Sequence, residues 1–324
     1  MIPLASPDLT GNELDYVTQA IRSGWISSRG EYVPRFERMV AMRHGHAFHG
    51  IACSSGTAAL HLSLLAAGIQ RGDKVLVPDL TFGATLNTVI HVGAEPVLVD
   101  VDNALCMDPK AAYRALKSTR DVKAIMIVHL YGNDPDPRLF TIAEDAKLTI
   151  IEDRAECVQF TPVRGHYVCY SYYGNKAITT GEGGMVVTRW PDAVRRYRDH
   201  GMVKPYYHLV PGLNYRLTNV AAAIGCAQLE RFDEFLRARI RNLKRLRAAI
   251  PEGQGEWLYV VPKRRMETVE TRPVFDPLHV MPYVAQGDDF PNAIRFHRDY
   301  VCLPVGPHLT EADIEGIIAE YVAA

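Results

Sequence analysis

Lys176 is the residue whose surroundings best suit covalent chemistry. It follows Tyr170-Ser171-Tyr172-Tyr173-Gly174-Asn175 and precedes Ala177-Ile178-Thr179-Thr180-Gly181-Glu182-Gly183-Gly184. An aromatic, strand-like run leads into a turn where Gly181, Gly183 and Gly184 let backbone approach a ligand closely or adopt positive φ. Burial in so cramped a turn disfavours the charged amine, and a desolvated amine attacks carbonyls. A solvated lysine beside a strand end fits the same local pattern. Asp153 closes the apolar run Thr149-Ile150-Ile151-Glu152. A carboxylate there is partly buried and needs a cationic or N–H partner, unless it caps the next turn. Ile51-Ala52-Cys53 breaks at Ser54-Ser55-Gly56-Thr57 and continues into a helix over 58–67. Strand, small-residue turn and helix N-terminus together bind phosphate through free N–H groups and the helix dipole. The Gly-Lys-Ser/Thr ending of a Walker loop is absent, and a Ser/Thr N-cap accounts for Ser55 or Thr57 equally well.

These groups must be positioned by an alternation of strands and helices. Strand patterns at 75–78, 96–101, 124–128 and 148–152 are separated by helical patterns at 84–92, 110–117 and 137–147. Apolar, β-branched strands alternating with helices predict an α/β fold with a mostly parallel sheet covered on both faces. Ligands gather at the carboxyl ends of such strands, where the Ser55–Thr57 turn, Phe82 and Asp153 fall. Ahead of the sheet, 12–22 and 31–44 read as amphipathic helices. Beyond it, 172–176 and 185–188 read as strands around the lysine turn, 192–199 as a helix and 200–210 as an irregular aromatic loop. One long helical pattern runs from 218 to about 249. Pro251 and Gly253-Gln254-Gly255 then punctuate a boundary. This predicts a large domain over 1–249 and a small α+β domain over 250–324, with strands at 257–261, 268–272 and 301–303 and helices at 290–299 and 311–321.

With 324 residues and 48% hydrophobic content, the chain can bury a large core. Its 36 basic and 37 acidic residues leave a net charge of −1, without the basic excess of nucleic-acid binding. No signal-peptide pattern opens it, and no apolar run reaches the roughly 20 residues of a membrane span. The six cysteines include no C-x-x-C pair and read as small core residues, with no metal site implied. A cytoplasmic enzyme or binding protein is the expectation.

Eight stretches in order carry a resemblance: Ser23-Gly24-Trp25-Ile26-Ser27, Ser55 to Leu62, Val128-His129-Leu130-Tyr131-Gly132, Ile151-Glu152-Asp153, Ser171 to Gly184, Asn214 to Asn219, Ala227-Gln228-Leu229-Glu230 and Pro277-Leu278-His279. Nearly end to end, the chain resembles the sugar-nucleotide aminotransferases of the DegT/DnrJ/EryC1/StrS family, which use pyridoxal 5'-phosphate on the aspartate-aminotransferase fold. Gly174-Asn175-Lys176 followed by Thr179 to Gly184 looks most like the perosamine synthases and related enzymes that aminate C4 of a nucleotide-linked 4-keto-6-deoxyhexose.

The resemblance implies a fold-type-I architecture with a seven-stranded-type sheet, an amino-acid donor such as glutamate, and a homodimer with shared sites. It implies that Lys176 binds the cofactor and then moves protons, and that Asp153 pairs with the pyridine nitrogen and keeps it protonated. Gly56, Thr57 and Ser171 would bind the phosphate, Phe82 would stack on the ring, Glu156 would sit near the phenolic oxygen, and Asn214 would reach the partner subunit's phosphate. Trp25, Ser27, Tyr206, His208, Arg216 and His279 are the candidates for the sugar nucleotide. Family dehydratases carry histidine in place of the lysine, so Lys176 points away from them. Three features depart from the pattern: Arg154 replaces a small residue beside Asp153, and the stretches 159–169 and 263–271 are short. Amination at C3 or of another keto-sugar is an alternative, as is a trimmed, non-catalytic homologue.

Overall fold

A computed structural model describes residues 1–285, 287 and 289–324. Two amphipathic helices, α1 (Glu13–Arg22) and α2 (Tyr32–Met42), open the chain. Then β1 (His49–Cys53), α3 (Gly56–Ala66), β2 (Lys74–Pro78), α4 (Gly83–His91), β3 (Glu95–Val99), α5 (Pro109–Ser118), β4 (Val122–Val128), α6 (Arg138–Asp145) and β5 (Thr149–Asp153) alternate. There follow β6 (Tyr167–Ser171), β7 (Gly184–Thr188), α7 (Pro191–Arg198), a small hairpin of β8 (Met202–Lys204) and β9 (Tyr207–His208), α8 (Asn219–Glu230) and α9 (Phe232–Ala249). The chain ends with β10 (Tyr259–Pro262), β11 (Arg272–Pro273), α10 (Pro291–Asp299), β12 (Tyr300–Leu303) and α11 (Glu311–Ala323).

Seven strands form one sheet in the order β1-β7-β6-β5-β4-β2-β3. Neighbours from β3 to β6 pair parallel, and β7 alone runs antiparallel, between β1 and β6. Both faces are buried, which is why the strands read as continuous apolar runs. In β7, Val186 packs into the core on one face while Met185 and Val187 face the other, against α2 and α8. The second sheet, β10-β12-β11, is antiparallel. It packs against Leu243 and Leu246 of α9 and Ile314 and Ile317 of α11 in a core of its own. No helix among the described residues is long and apolar enough to cross a membrane.

Four local expectations change. The strand expected at 172–176 lies earlier, at β6, because the ladder with β7 ends at the pair Ser171 and Gly184. Beyond it Tyr172 N donates to Gly183 O and Thr180 N to Tyr172 O, so the chain closes on itself as a loop. The long helix divides at Arg231 (φ −100°, ψ 3°), whose guanidinium is held by both Asp8 and Glu234. The strand expected at 268–272 shrinks to Arg272–Pro273, because the residues before it pair with the start of the chain: Ile2 N donates to Thr268 O and Glu270 N to Ile2 O. The aromatic loop at 200–210 contains the hairpin of β8 and β9.

Candidate active site

The strands β1, β2, β4, β5 and β6 all end at one edge of the large sheet, and β7 starts there. Over that edge lies a cavity of about 360 Å³ whose walls include Gly56, Thr57, Phe82, Asp153, Glu156, Ser171 and Lys176. At one end is the start of α3. Ser55 is the N-cap, extended in backbone, with its Oγ accepting from Ala58 N at 3.1 Å. Helix geometry leaves the amides of Gly56 and Thr57 with no intrahelical acceptor, so this end of the cavity offers N–H donors and a positive dipole end. Two glycines make the approach possible. A Cβ on Gly56 would lie 2.8 Å from Ser171 Cβ, and one on Gly184 would run into the Ser55 carbonyl. The Ser171 hydroxyl is thereby brought beside the helix start.

Asp153 is buried at the end of β5. Its Oδ2 accepts from Thr85 Oγ1 of α4 at 2.9 Å and its Oδ1 from Ala155 N at 3.1 Å. Burial raises its pKa, while those two bonds and the charges of Lys176 and His129 oppose the rise. A buried carboxylate so held is a ready partner for a cation or a protonated ring nitrogen.

Lys176 projects into the cavity with its side chain 15% exposed. Its Nζ lies 3.5 Å from Glu156 Oε1 and 4.1 Å from the centre of the Trp257 ring. Burial lowers the amine's pKa, and Glu156 and Asp153 partly restore it. Glu156 is fixed from behind, its Oε2 accepting from Tyr131 N at 2.9 Å. A lysine that sheds its proton readily beside two carboxylates can act as nucleophile and as proton carrier.

Arg154 points away from Asp153, as alternation along an extended chain requires. Its Nε and Nη2 donate to Glu152 Oε2 at 3.0 and 2.6 Å, its Nη1 to the carbonyl and hydroxyl of Thr161, and its Nη2 also to the Pro162 carbonyl. Glu152 completes the set with His129 Nε2 at 3.0 Å and the amides of Arg164 and Gly165. Burial alone would raise the Glu152 pKa, but the His129 hydrogen bond and the charge of Arg154 prevail and hold it at about 2. The arginine therefore secures the short 159–165 loop and leaves the Asp153 carboxylate free.

Other expected residues lie elsewhere. His279 is buried with its Nδ1 2.7 Å from Asp79 Oδ2 and its ring stacked on Phe290, and it does not line the cavity. Trp25 and Ser27 are exposed ahead of α2, where the Trp25 carbonyl accepts from Asn219 Nδ2 and the Ser27 carbonyl from Asn219 N. Tyr206 and His208 stand exposed on the hairpin. Asn214 is exposed and accepts from Arg216 Nε at 3.0 Å, while Arg216 also pairs with Asp199 at 2.8 Å. The cavity also recruits residues the sequence reading missed: His129, Glu182, Trp257, Arg272 and Phe275 line it, and Thr85 holds Asp153 from behind. Thr85 lies three residues beyond Phe82, in the first turn of α4. Trp257 and Arg272 come from the region of the other sheet, and no local pattern announces them.

Over residues 7–268 and 260–322 the chain matches the DegT/DnrJ/EryC1/StrS aminotransferase family. A GDP-perosamine synthase of Caulobacter vibrioides is 41% identical, the alignment covering 98% of this chain and 96% of that one. A GDP-perosamine synthase of Vibrio cholerae is 36% identical, with 98% and 97% covered. The chain belongs to this aminotransferase family. Its fold is also that of the aminotransferase TlmJ from Streptoalloteichus hindustanus, with a TM-score of 0.91, 26% identity, and 100% and 98% of the two chains covered. The alignment with the Caulobacter protein runs over 361 residues, more than the 324 of this chain, so that relative carries internal segments missing here.

As a family member, the protein is a pyridoxal-phosphate-dependent sugar aminotransferase. The cavity's own chemistry fits that cofactor. The α3 amides with the Thr57 and Ser171 hydroxyls would take its phosphate, Asp153 would meet its ring nitrogen, Phe82 would cover a ring face, and Lys176 would reach its aldehyde carbon. Of the residues expected to hold the cofactor, only Asn214 is absent from the walls of this cavity.

Proposed function

We propose that this aminotransferase moves an amino group from glutamate to C4 of a GDP-linked 4-keto-6-deoxyhexose, as a GDP-perosamine synthase does. The observation that carries the reading is one cavity that combines Lys176, Asp153 and the start of α3, in a chain 36–41% identical to such synthases along nearly its whole length. When bound, the cofactor supplies an electron sink for the carbon that loses its proton. Lys176 Nζ takes that proton, first from the donor's α-carbon, and later delivers one to sugar C4. Glu156, 3.5 Å away, holds the amine in place between transfers. Asp153 keeps a proton on the ring nitrogen, and Thr85 and Ala155 keep the carboxylate aimed there.

We take the working unit as a homodimer in which Asn214 completes the partner's phosphate site. Supporting this, Asn214 is exposed outside its own chain's cavity, and Trp25, Ile26, Tyr206 and Leu209 are large apolar residues left in solvent, Tyr206 at 93%. Exposed apolar residues of this size are available to a contact surface. Trp25, Ser27, Tyr206, His208 and Arg216 then belong to the sugar-nucleotide side of a site built from two chains. The large and small domains divide near residue 250, in keeping with separate sheets, although Val260, Phe296 and Cys302 share the core of the large sheet. The six unpaired cysteines suit the cytoplasm.

Supplying GDP-, UDP- and dTDP-linked 4-keto-6-deoxy sugars with glutamate tests the reading. Amination of the GDP sugar at C4 is expected. Amination at C3, or preference for another nucleotide, would replace it.

A further inference from the structure

Trp257 touches the lysine turn twice with one side chain. Its ring centre lies 4.1 Å from Lys176 Nζ, and its indole Nε1 donates to the Asn175 carbonyl at 3.1 Å. The residue itself is firmly held, just ahead of β10. It is 2% exposed. Its amide donates to the Tyr131 carbonyl at 2.9 Å, and its own carbonyl accepts from Arg239 Nη1 at 2.7 Å. One aromatic residue from the region of the second sheet therefore holds both the backbone ahead of the lysine and the lysine's tip.

An indole face attracts an ammonium more strongly than the face of Tyr or Phe, and most where water is excluded. It does little for a neutral amine. The indole N–H can only donate, and here that donor is spent on Asn175. We propose that Trp257 is a positioning residue for Lys176. Its face receives the amine whenever the amine is not bonded to the cofactor and favours the ammonium there, while its N–H fixes the turn from which the lysine reaches. This rests on Lys176 being the residue that bonds the cofactor. The charged groups around the amine are separate from the indole. Glu156 and Asp153 favour the ammonium and Arg272 opposes it, and His129 and Glu182 line the same cavity. Asp8, Arg239 and His308 border a smaller cavity that Lys176 also lines. All of these groups stay in place when only the indole is replaced, so a change in the amine's protonation then reports the indole.

The test mixes pyridoxal phosphate with apoprotein of wild type, Trp257→Phe and Trp257→Leu, each first checked for native circular dichroism, and times the growth of the bound-cofactor absorbance band across pH. Only the neutral amine attacks the aldehyde, so the acid limb of this rate follows the amine's protonation. The limb should move to lower pH by about one unit in Trp257→Leu, and by less in Trp257→Phe. An indole that is merely a wall gives the opposite sign, because leucine is smaller and admits water, which favours the ammonium. A limb that stays put or moves to higher pH would therefore overturn the proposal. A second measurement leaves Trp257 in place. Trp25→Phe with Trp190→Phe removes the other two indoles, both exposed. Emission of the remaining Trp257 in the apoprotein should change over the pH range of the capture limb, because a nearby ammonium quenches an indole, and adding Lys176→Met should abolish that change. Emission that does not titrate, or that titrates unaltered with Lys176→Met, would overturn the contact. If Lys176→Met still bonds the cofactor, the role given to Lys176 fails, and the emission titration still decides whether Trp257 holds its amine.

Discussion

At the residue scale, the behaviour of the site turns on the balance between burial and charge around Lys176. Burial lowers the amine's pKa, and Glu156 is the first group to raise it again. Glu156→Gln removes that negative charge but keeps an acceptor for Tyr131 N. The amine should then lose its proton at lower pH, so the acid limb of the rate of cofactor capture by apoenzyme should move to lower pH. A limb that stays put or moves the other way would show that Glu156 does not govern the amine. Asp153 acts on the ring instead. Asp153→Asn keeps the bonds from Thr85 and Ala155 within reach but cannot hold a proton on a ring nitrogen. Conversion of bound cofactor by glutamate should slow by ~10²-fold or more, with cofactor still retained. Single-turnover absorbance measures both, and near-normal conversion would mean that another group serves the ring.

At the scale of elements, the buried Arg154–Glu152 pair joins the end of β5 to the loop that leads into β6. Removing one partner of such a pair leaves an uncompensated charge, so Arg154→Met should cost about 3–5 kcal/mol, read as a lowered denaturant midpoint. The pH dependence has a fixed sign. Glu152 is held at about 2, below its ordinary 4.5, so its contribution is fully present above pH 4.5 and is lost as pH falls toward 2. Without Arg154 the carboxylate should titrate higher, and acid unfolding should begin at higher pH than in wild type. Identical acid midpoints would contradict this account of the loop. The same segment shows what a sequence can carry. Asp153 and the Ser55–Thr57 turn were legible because strand ends in a parallel sheet share an edge, whatever the order of the strands. The partner of Arg154 was legible only as a direction, through alternation. The break at Arg231 was not legible, because it depends on Asp8 from the far end of the chain. Trp257 and Arg272 reach Lys176 only through folding of a second sheet, which no spacing encodes.

At the scale of the whole molecule, the proposed homodimer rests on Asn214 and on the exposed aromatic segments. Mixing inactive Lys176→Ala protein with inactive Asn214→Ala protein should restore up to about a quarter of wild-type activity, because hybrid dimers each contain one intact site. Subunit exchange with no recovery, or a fully active monomer by sedimentation, would leave Asn214 a structural residue of its own loop. The central claim is that this cavity transfers nitrogen from an amino acid to a keto sugar by way of Lys176. Incubation of the cofactor-loaded protein with nitrogen-labelled glutamate and a GDP-4-keto-6-deoxyhexose tests it most directly, by mass spectrometry and NMR of the sugar product. The account predicts labelled nitrogen on C4 with wild type and none with Lys176→Ala. Unlabelled sugar from the wild-type protein, or labelled product from the Lys176→Ala protein, would contradict it.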